Sequence, residues 1–240
     1  MSQRATVVNR PSKRDMRSIW RDPREAPIYE IATAAFYVGV PASTLRAWVT
    51  GRPFRAAGQM RWSDRLIEPA DQKRHLLSFA NLAEAHVLQA THEHHVPMKN
   101  VRAALDYLRS QDASVRHPLL TQAFYAFQKD LFIKRLMEIV NATKGGQLAL
   151  DFLDPYLERL VRDESGLPFR FFPMRANRDR HVMVDIHIAS GQPVLAGTGI
   201  LAEVLYGRNV AGESTEEIAR DYNLDERVVV DALRYVAAAA

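Results

Sequence analysis

The twenty residues Tyr29 to Trp48, YEIATAAFYVGVPASTLRAW, decide how this 240-residue chain is read. Ile31, Ala34, Ala35 and Val38 recur at helical spacing and give one apolar face, on a helix short enough to cross a second one. Gly39 stops that helix, Val40-Pro41 turns the chain, and a second helix begins with Leu45 and Trp48 inward. Ala42, Ser43 and Arg46 are left facing out. Small alanines where two helices meet, a glycine turn, and a second helix with hydroxyls and an arginine on its exposed first half make a helix-turn-helix, the element that reads DNA in the major groove.

The charge distribution points the same way. Residues 1–75 hold fourteen Lys/Arg and seven Asp/Glu, against eighteen and twenty-one in residues 76–240, so the formal net charge of +4 is concentrated around the helix-turn-helix. A basic third on a near-neutral body suits a polyanion, because each phosphate it neutralises releases counterions. A merely solvated charged face would explain part of the excess.

Outward from that stretch, residues 1–28 are rich in Arg, Ser and Pro and read as a flexible basic arm, equally suited to tracking phosphates or to aiding solubility. On the other side, Arg65-Leu66-Ile67 and Leu76-Leu77-Ser78-Phe79 read as two short strands around a polar turn, Pro69 to Arg74. They would form a wing with Lys73 and Arg74 at its tip and Arg52, Arg55 and Arg61 in the loop before it, all placed to meet backbone phosphates. Asn81 is expected to cap a following helix interrupted near Pro97, and Met98 to Leu108 is a further amphipathic helix.

Residues 116–180 change style. Ala123–Phe127 and Leu131–Lys134 alternate around a Lys144-Gly145-Gly146 turn, as in a small β element, and Ala149 to Val161 reads as a helix. Leu167 to Arg175 then reads as an edge strand in which Phe169, Phe171 and Met174 interleave with Arg170 and Arg175, the composition of a partner-binding ribbon. In residues 181–240, Val182–Ile188 is a strand, a Gly/Pro-punctuated loop leads into a helix at Ile200–Arg208, and Ser214-Thr215-Glu216-Glu217 is a capping box for Thr215–Tyr222. Asn223 can close that helix in the left-handed conformation, and Asp225 caps a last helix through Val236. The expected fold is α+β, mainly α: an arm (1–28), a winged helix-turn-helix (29–115), a small mixed region (116–180) and a trihelical, helix-turn-helix-like C-terminal domain (181–240).

The order YxIxxAAxxxGVPxSTLRAW resembles the start of MerR-type winged-helix domains, which commonly carry Tyr where this chain has Ala47. The segment from Gly191 to Ile200, GQPVLAGTGI, with the following STEEIARDYNL helix, is similar to a bacterial family of small domains of unknown function often encoded beside PIN-domain ribonucleases. Together the two halves resemble a large VapB-type antitoxin. That resemblance implies binding and neutralisation of a PIN-domain ribonuclease toxin, double-stranded operator DNA as a second partner, and autoregulation of the operon. On that reading Ser43, Thr44 and Arg46 enter the major groove of a palindrome bound by a homodimer. An arginine on an apolar segment reaches the acidic toxin site, with Phe169, Arg170, Phe171 and Arg175 as candidates. The alternative is a MerR-like regulator that senses a small ligand in residues 117–176 and has no toxin.

Other chemistries find little support. No apolar run approaches the roughly 18 residues of a membrane span, and the basic N-terminus lacks the apolar stretch of a signal peptide, so a cytoplasmic protein without membrane contact is expected. Zero cysteines exclude disulfides and thiolate metal sites. His92-Glu93-His94-His95, with His86 before it, lacks metalloprotease spacing and reads as helix-surface histidines, so no metal is assigned. Gly191, Gly197 and Gly199 match neither a dinucleotide fingerprint nor a P-loop. No nucleophile elbow occurs, and Asp151, Asp154 and Asp185 have no catalytic spacing, so the chain is expected to be neither an enzyme nor a cofactor carrier.

Overall fold

A computed structural model describes residues 22–121, 124, 152–174 and 177–238. The basic run before Asp22, Arg175, and nearly all of the expected β element at 123–134 with its turn at 144–146 lie outside the described residues.

Helices α1 (Ile31–Val38) and α2 (Ala42–Thr50) form where expected. Gly39 closes α1 in the left-handed region at φ 86°, its N–H donating to Ala35 and Phe36 carbonyls. Leu45, Trp48 and Val49 are buried beneath α2. A hairpin of β1 (Pro53–Ala56) and β2 (Gln59–Trp62) follows. Its two-residue turn, Ala57-Gly58, has both residues at positive φ, the type I′ geometry that matches strand twist.

This hairpin is the wing, so the expected wing at 65–79 is corrected. Leu66 and Ile67 are core residues whose N–H groups donate to the Trp48 carbonyl. Leu77 bridges Tyr29, and Phe79 already belongs to α3 (Phe79–Glu93). Ser78 rather than Asn81 is the N-cap, with Asn81 completing the capping box from the third helical position.

Helix α3 is the axis of the molecule. Thirteen of its fifteen residues are buried, so it offers no free stripe to a second copy. Helix α4 (Met98–Gln111) follows the Pro97 break and inserts Val101, Ala104, Leu105 and Leu108. Residues 22–28 are held in place: a 3-10 turn at Pro23–Glu25 is fixed by Arg24 on Asp163 at 2.7 Å and by Glu25 on Arg116 at 3.0 Å.

Of the expected helix at 149–161, residues 149–151 lie outside the described residues, and the described part holds one turn, α5 (Asp154–Leu157), after which the chain becomes β3 (Leu160–Arg162). Strands β4 (Pro168–Phe171), β5 (Val182–Asp185) and β6 (Pro193–Leu195) complete an antiparallel sheet in the order β3-β4-β5-β6. The Phe/Arg ribbon is therefore an inner strand, not an edge. Helices α6 (Ala202–Val210), α7 (Thr215–Tyr222) and α8 (Glu226–Ala237) close around Leu205, Ile218, Val229 and Tyr235, against Val182 and Leu195 of the sheet. Ser214 and Glu217 make the capping box, and Asn223 adopts φ 53°, ψ 49°.

Candidate nucleic-acid interface

The exposed side of α2 carries Ala42, Ser43 and Arg46, whereas Thr44 is half-buried. Pro41 precedes the helix without a side-chain cap, so the first amides of α2 open outward with the positive end of the helix dipole. Arg46, Arg74 and His75 share a concave surface with Glu30, against the N-terminus of α1. Lys73 and Arg74 thus stand beside the reading helix and not on the wing. Their turn is shaped by Asp71, whose Oδ1 accepts both their N–H groups while Oδ2 holds Arg74 Nε at 2.8 Å. These bonds, led by the Arg74 N–H, hold the Asp71 carboxyl below its ordinary value.

Arg52, Arg55 and Arg61 belong to the wing region instead of a preceding loop. In register, Phe54 faces Arg61 and Arg55 faces Met60 across the ladder. Phe54, Met60 and Trp62 are 41%, 63% and 63% exposed, three of the six large apolar side chains exposed among the described residues. The hairpin is anchored at its base. Trp62 Nε1 donates to the Thr50 carbonyl at 3.2 Å, and the Ser63 hydroxyl and N–H both bond Arg52's carbonyl. Gly51, at φ 75°, lies so close to the Ser63 carbonyl and Trp62 indole that a Cβ would collide with both.

Behind the wing, α4 supplies cations that sequence reasoning passed over. Arg102 Nε donates to the Asp64 carbonyl and Arg109 Nη2 to the Leu66 carbonyl, each at 2.8 Å. Burial first, and then the neighbouring Arg52, holds the Arg102 guanidinium below its usual value. The available signal was the helical spacing of Arg102 and Arg109 on α4, whose partners lie some forty residues away.

The Phe/Arg ribbon is largely spent inside the fold. Phe171 is fully buried against Phe79 and His86, which corrects its reading as a contact residue. Arg170 Nε pairs with the buried Asp185 carboxylate at 2.7 Å, and its guanidinium lies over Phe169. Phe169 and Arg170 keep partial exposure. Of the histidine run, His92 packs on Trp48 and His94 on Phe152. A convergence that sequence spacing hid joins Asp179 and His181 to Asp231, with ligand-capable atoms within 4.8 Å and His181 Nδ1 2.7 Å from Asp231 Oδ2.

Comparison with known proteins agrees with this geometry. Residues 27–105 match the family model described as "Putative DNA-binding HTH domain". Residues 182–236 match the model described as "Protein of unknown function (DUF433)". The chain is 28% identical over 233 residues to "Putative antitoxin VapB45" of Mycobacterium tuberculosis, covering 89% of this chain and 95% of that protein. It shares its fold with the crystal structure of Rv2018 from Mycobacterium tuberculosis, at TM-score 0.64 and 23% identity over 87% of this chain and 98% of that one. No helix among the described residues is long and apolar enough to cross a membrane.

Proposed function

We propose that this chain is the antitoxin of a toxin–antitoxin module, which holds a PIN-domain ribonuclease inactive and binds its own operator to autoregulate. It acts in the cytoplasm by binding, not by catalysis. The observation that carries the reading is the exposed Ser43 and Arg46 face of α2, flanked by the turn cations and the arginine-bearing wing, in a chain similar over nearly its whole length to "Putative antitoxin VapB45". Arg46 suits guanine O6/N7, while Arg52, Arg55, Arg61, Lys73 and Arg74 sit where phosphates pass. A homodimer matches a palindromic operator; its interface lies outside α3, whose faces are already covered. Toxin contact is assigned to the exposed edge of Phe169 and Arg170.

Co-purification with the product of the adjacent gene, then a gel shift on the operon's own promoter, tests both halves. Arg46→Ala should cost about 1–3 kcal/mol and relax one base position, whereas Lys73→Ala should weaken all sequences alike and lower the salt slope by about 1. Operator binding equal to wild type in both variants would overturn the assignment of the face, and failure to retain the neighbouring protein would overturn the antitoxin role. A second reading, a ligand-responsive regulator, draws on a cavity of about 230 Å³ between α1 and the C-terminal helices, lined by Phe36, Tyr37, Glu203 and Tyr235. That cavity is not in residues 117–176. The absence of a neighbouring nuclease gene would favour this second reading.

A further inference from the structure

A groove of about 550 Å³ runs between the base of the wing and the start of α4, lined by Arg52, Phe54, Trp62, Met98, Lys99 and Arg102. Two of its features are unusual together. Trp62 is 63% exposed although its indole N–H is bonded to Thr50, so a large flat ring is held still and left in water. Such exposure is retained at a cost unless the ring is covered in the working state. The cations beside it are also uncommitted: the side chains of Arg52 and Lys99 make no hydrogen bond or ion pair among the described residues, while Arg102 is occupied with the Asp64 carbonyl and the Ser63 hydroxyl. The lining includes a single acid, Asp64.

A flat apolar ring beside free cations fits a nucleotide, with the base on the ring and the phosphate on the guanidinium or ammonium. Bases in an intact duplex are stacked on each other and have no free face to offer, so the matching ligand is an unstacked strand. We propose that the wing groove binds single-stranded nucleic acid, with a base stacked on the Trp62 indole and the adjoining phosphates on Arg52 and Lys99. This goes beyond duplex reading by α2, whose Arg46 lies on a separate concave surface, and Arg52 is the cation that the two readings share. An acidic protein segment would satisfy the cations but leave the indole uncovered, and a second copy of this chain would bring the same positive charge to the groove.

The test is fluorescence titration of the full chain with a six-nucleotide oligothymidylate, alongside a gel shift with operator duplex. Of the three tryptophans, Trp48 is buried and Trp20 lies outside the described residues, so the titration is run on the Trp20→Phe chain, in which quenching by a stacked base reports on Trp62. The expected result is saturable quenching that weakens as salt rises. Trp62→Phe keeps oligothymidylate binding in a competition assay, Trp62→Ala weakens it by about tenfold, and Phe54→Ala and Arg52→Ala weaken it less. Arg46→Ala reduces duplex binding and leaves the single strand bound. Melting curves of each variant establish that it is folded. Absence of quenching, or Trp62→Ala binding the oligonucleotide as tightly as wild type, overturns the inference while leaving duplex reading intact. Self-association that Trp62→Ala abolishes, with no oligonucleotide binding, also overturns it.

Discussion

Two histidines set opposite limits on stability because each is buried with a different partner. His117 Nδ1 lies 2.8 Å from Glu84 and Nε2 3.1 Å from Glu25. Burial alone would lower its pKa, but the Glu84 carboxylate and the hydrogen bonds to both acids outweigh it and push the imidazole up to about 10. A raised pKa stabilises fully below the unfolded value near 6.5 and is lost as pH climbs toward 10. His86 is the reverse. Burial brings it down to about 4, its Nε2 bonds the Tyr156 carbonyl and Nδ1 has no partner among the described residues, so stability is lost as pH falls from 6.5 toward 4. Urea unfolding at pH 6.5, 8 and 9.5 should therefore show wild type losing on the order of 1 kcal/mol per pH unit more than His117→Gln. Parallel curves for the two proteins would show that the Glu25–His117–Glu84 cluster does not hold its charge. At the other end of the core, Arg170→Ala should cost roughly 1–3 kcal/mol by stranding the buried Asp185 carboxylate. Because that loss is structural, Phe169→Ala is the cleaner probe of the proposed toxin contact.

At the scale of elements, what could be read from sequence was what is decided locally. The Ser214–Glu217 box and the left-handed Asn223 involve neighbours within a few residues, and the observed α7 has the expected bounds. The wing was misplaced for a physical reason. Strand β2 is exposed throughout, so the short alternation of Met60 and Trp62 with Gln59 and Arg61 marks no buried face, whereas Leu66, Ile67 and Leu77 look strand-like because the core buries them. The turn at 149–161 was misread because Leu153, Tyr156, Leu157 and Leu160 fit helical spacing up to the point where β3 takes over to pair with β4. The wing turn also carries a correctable defect. Ala57 sits at φ 49°, a conformation that costs a side chain with a Cβ roughly 1–2 kcal/mol and that Asn tolerates. Ala57→Asn should raise stability by about 0.5–1 kcal/mol and slow amide exchange at the Phe54 and Arg61 N–H groups, which face each other in a hydrogen-bonded pair of the ladder. Unchanged exchange would mean that the hairpin is held by its base, through Trp62 and Ser63, and not by its turn.

Across the whole molecule, the sheet is the seam between the two cores. Phe171 of β4 and Val184 of β5 belong to the large core around α3, while Val182 of β5 and Leu195 of β6 belong to the core of α6–α8. Strand β5 therefore serves both cores from one face, with Val184 toward the large core and Val182, two residues before it, toward the C-terminal one. The reading helices are tied to the same seam. Tyr29, at the entry to α1, donates to the Gly191 carbonyl at 2.9 Å, Tyr235 donates to the Tyr37 carbonyl at 3.3 Å, and the Phe36 and Tyr235 rings lie 5.5 Å apart. Removing everything after residue 180 would unpair the inner edge of β4, uncover Phe171 and expose Phe36, leaving an open strand and an apolar patch of the kind that drives association. The truncated chain is expected to be insoluble or non-native, and the full chain to melt in one transition, with far-ultraviolet circular dichroism and tryptophan fluorescence coincident. If residues 1–180 instead remain soluble, melt cooperatively and bind operator like the full chain, the C-terminal helices are an independent module. In that case the tyrosine bonds that join them to α1 contribute nothing to holding the reading face.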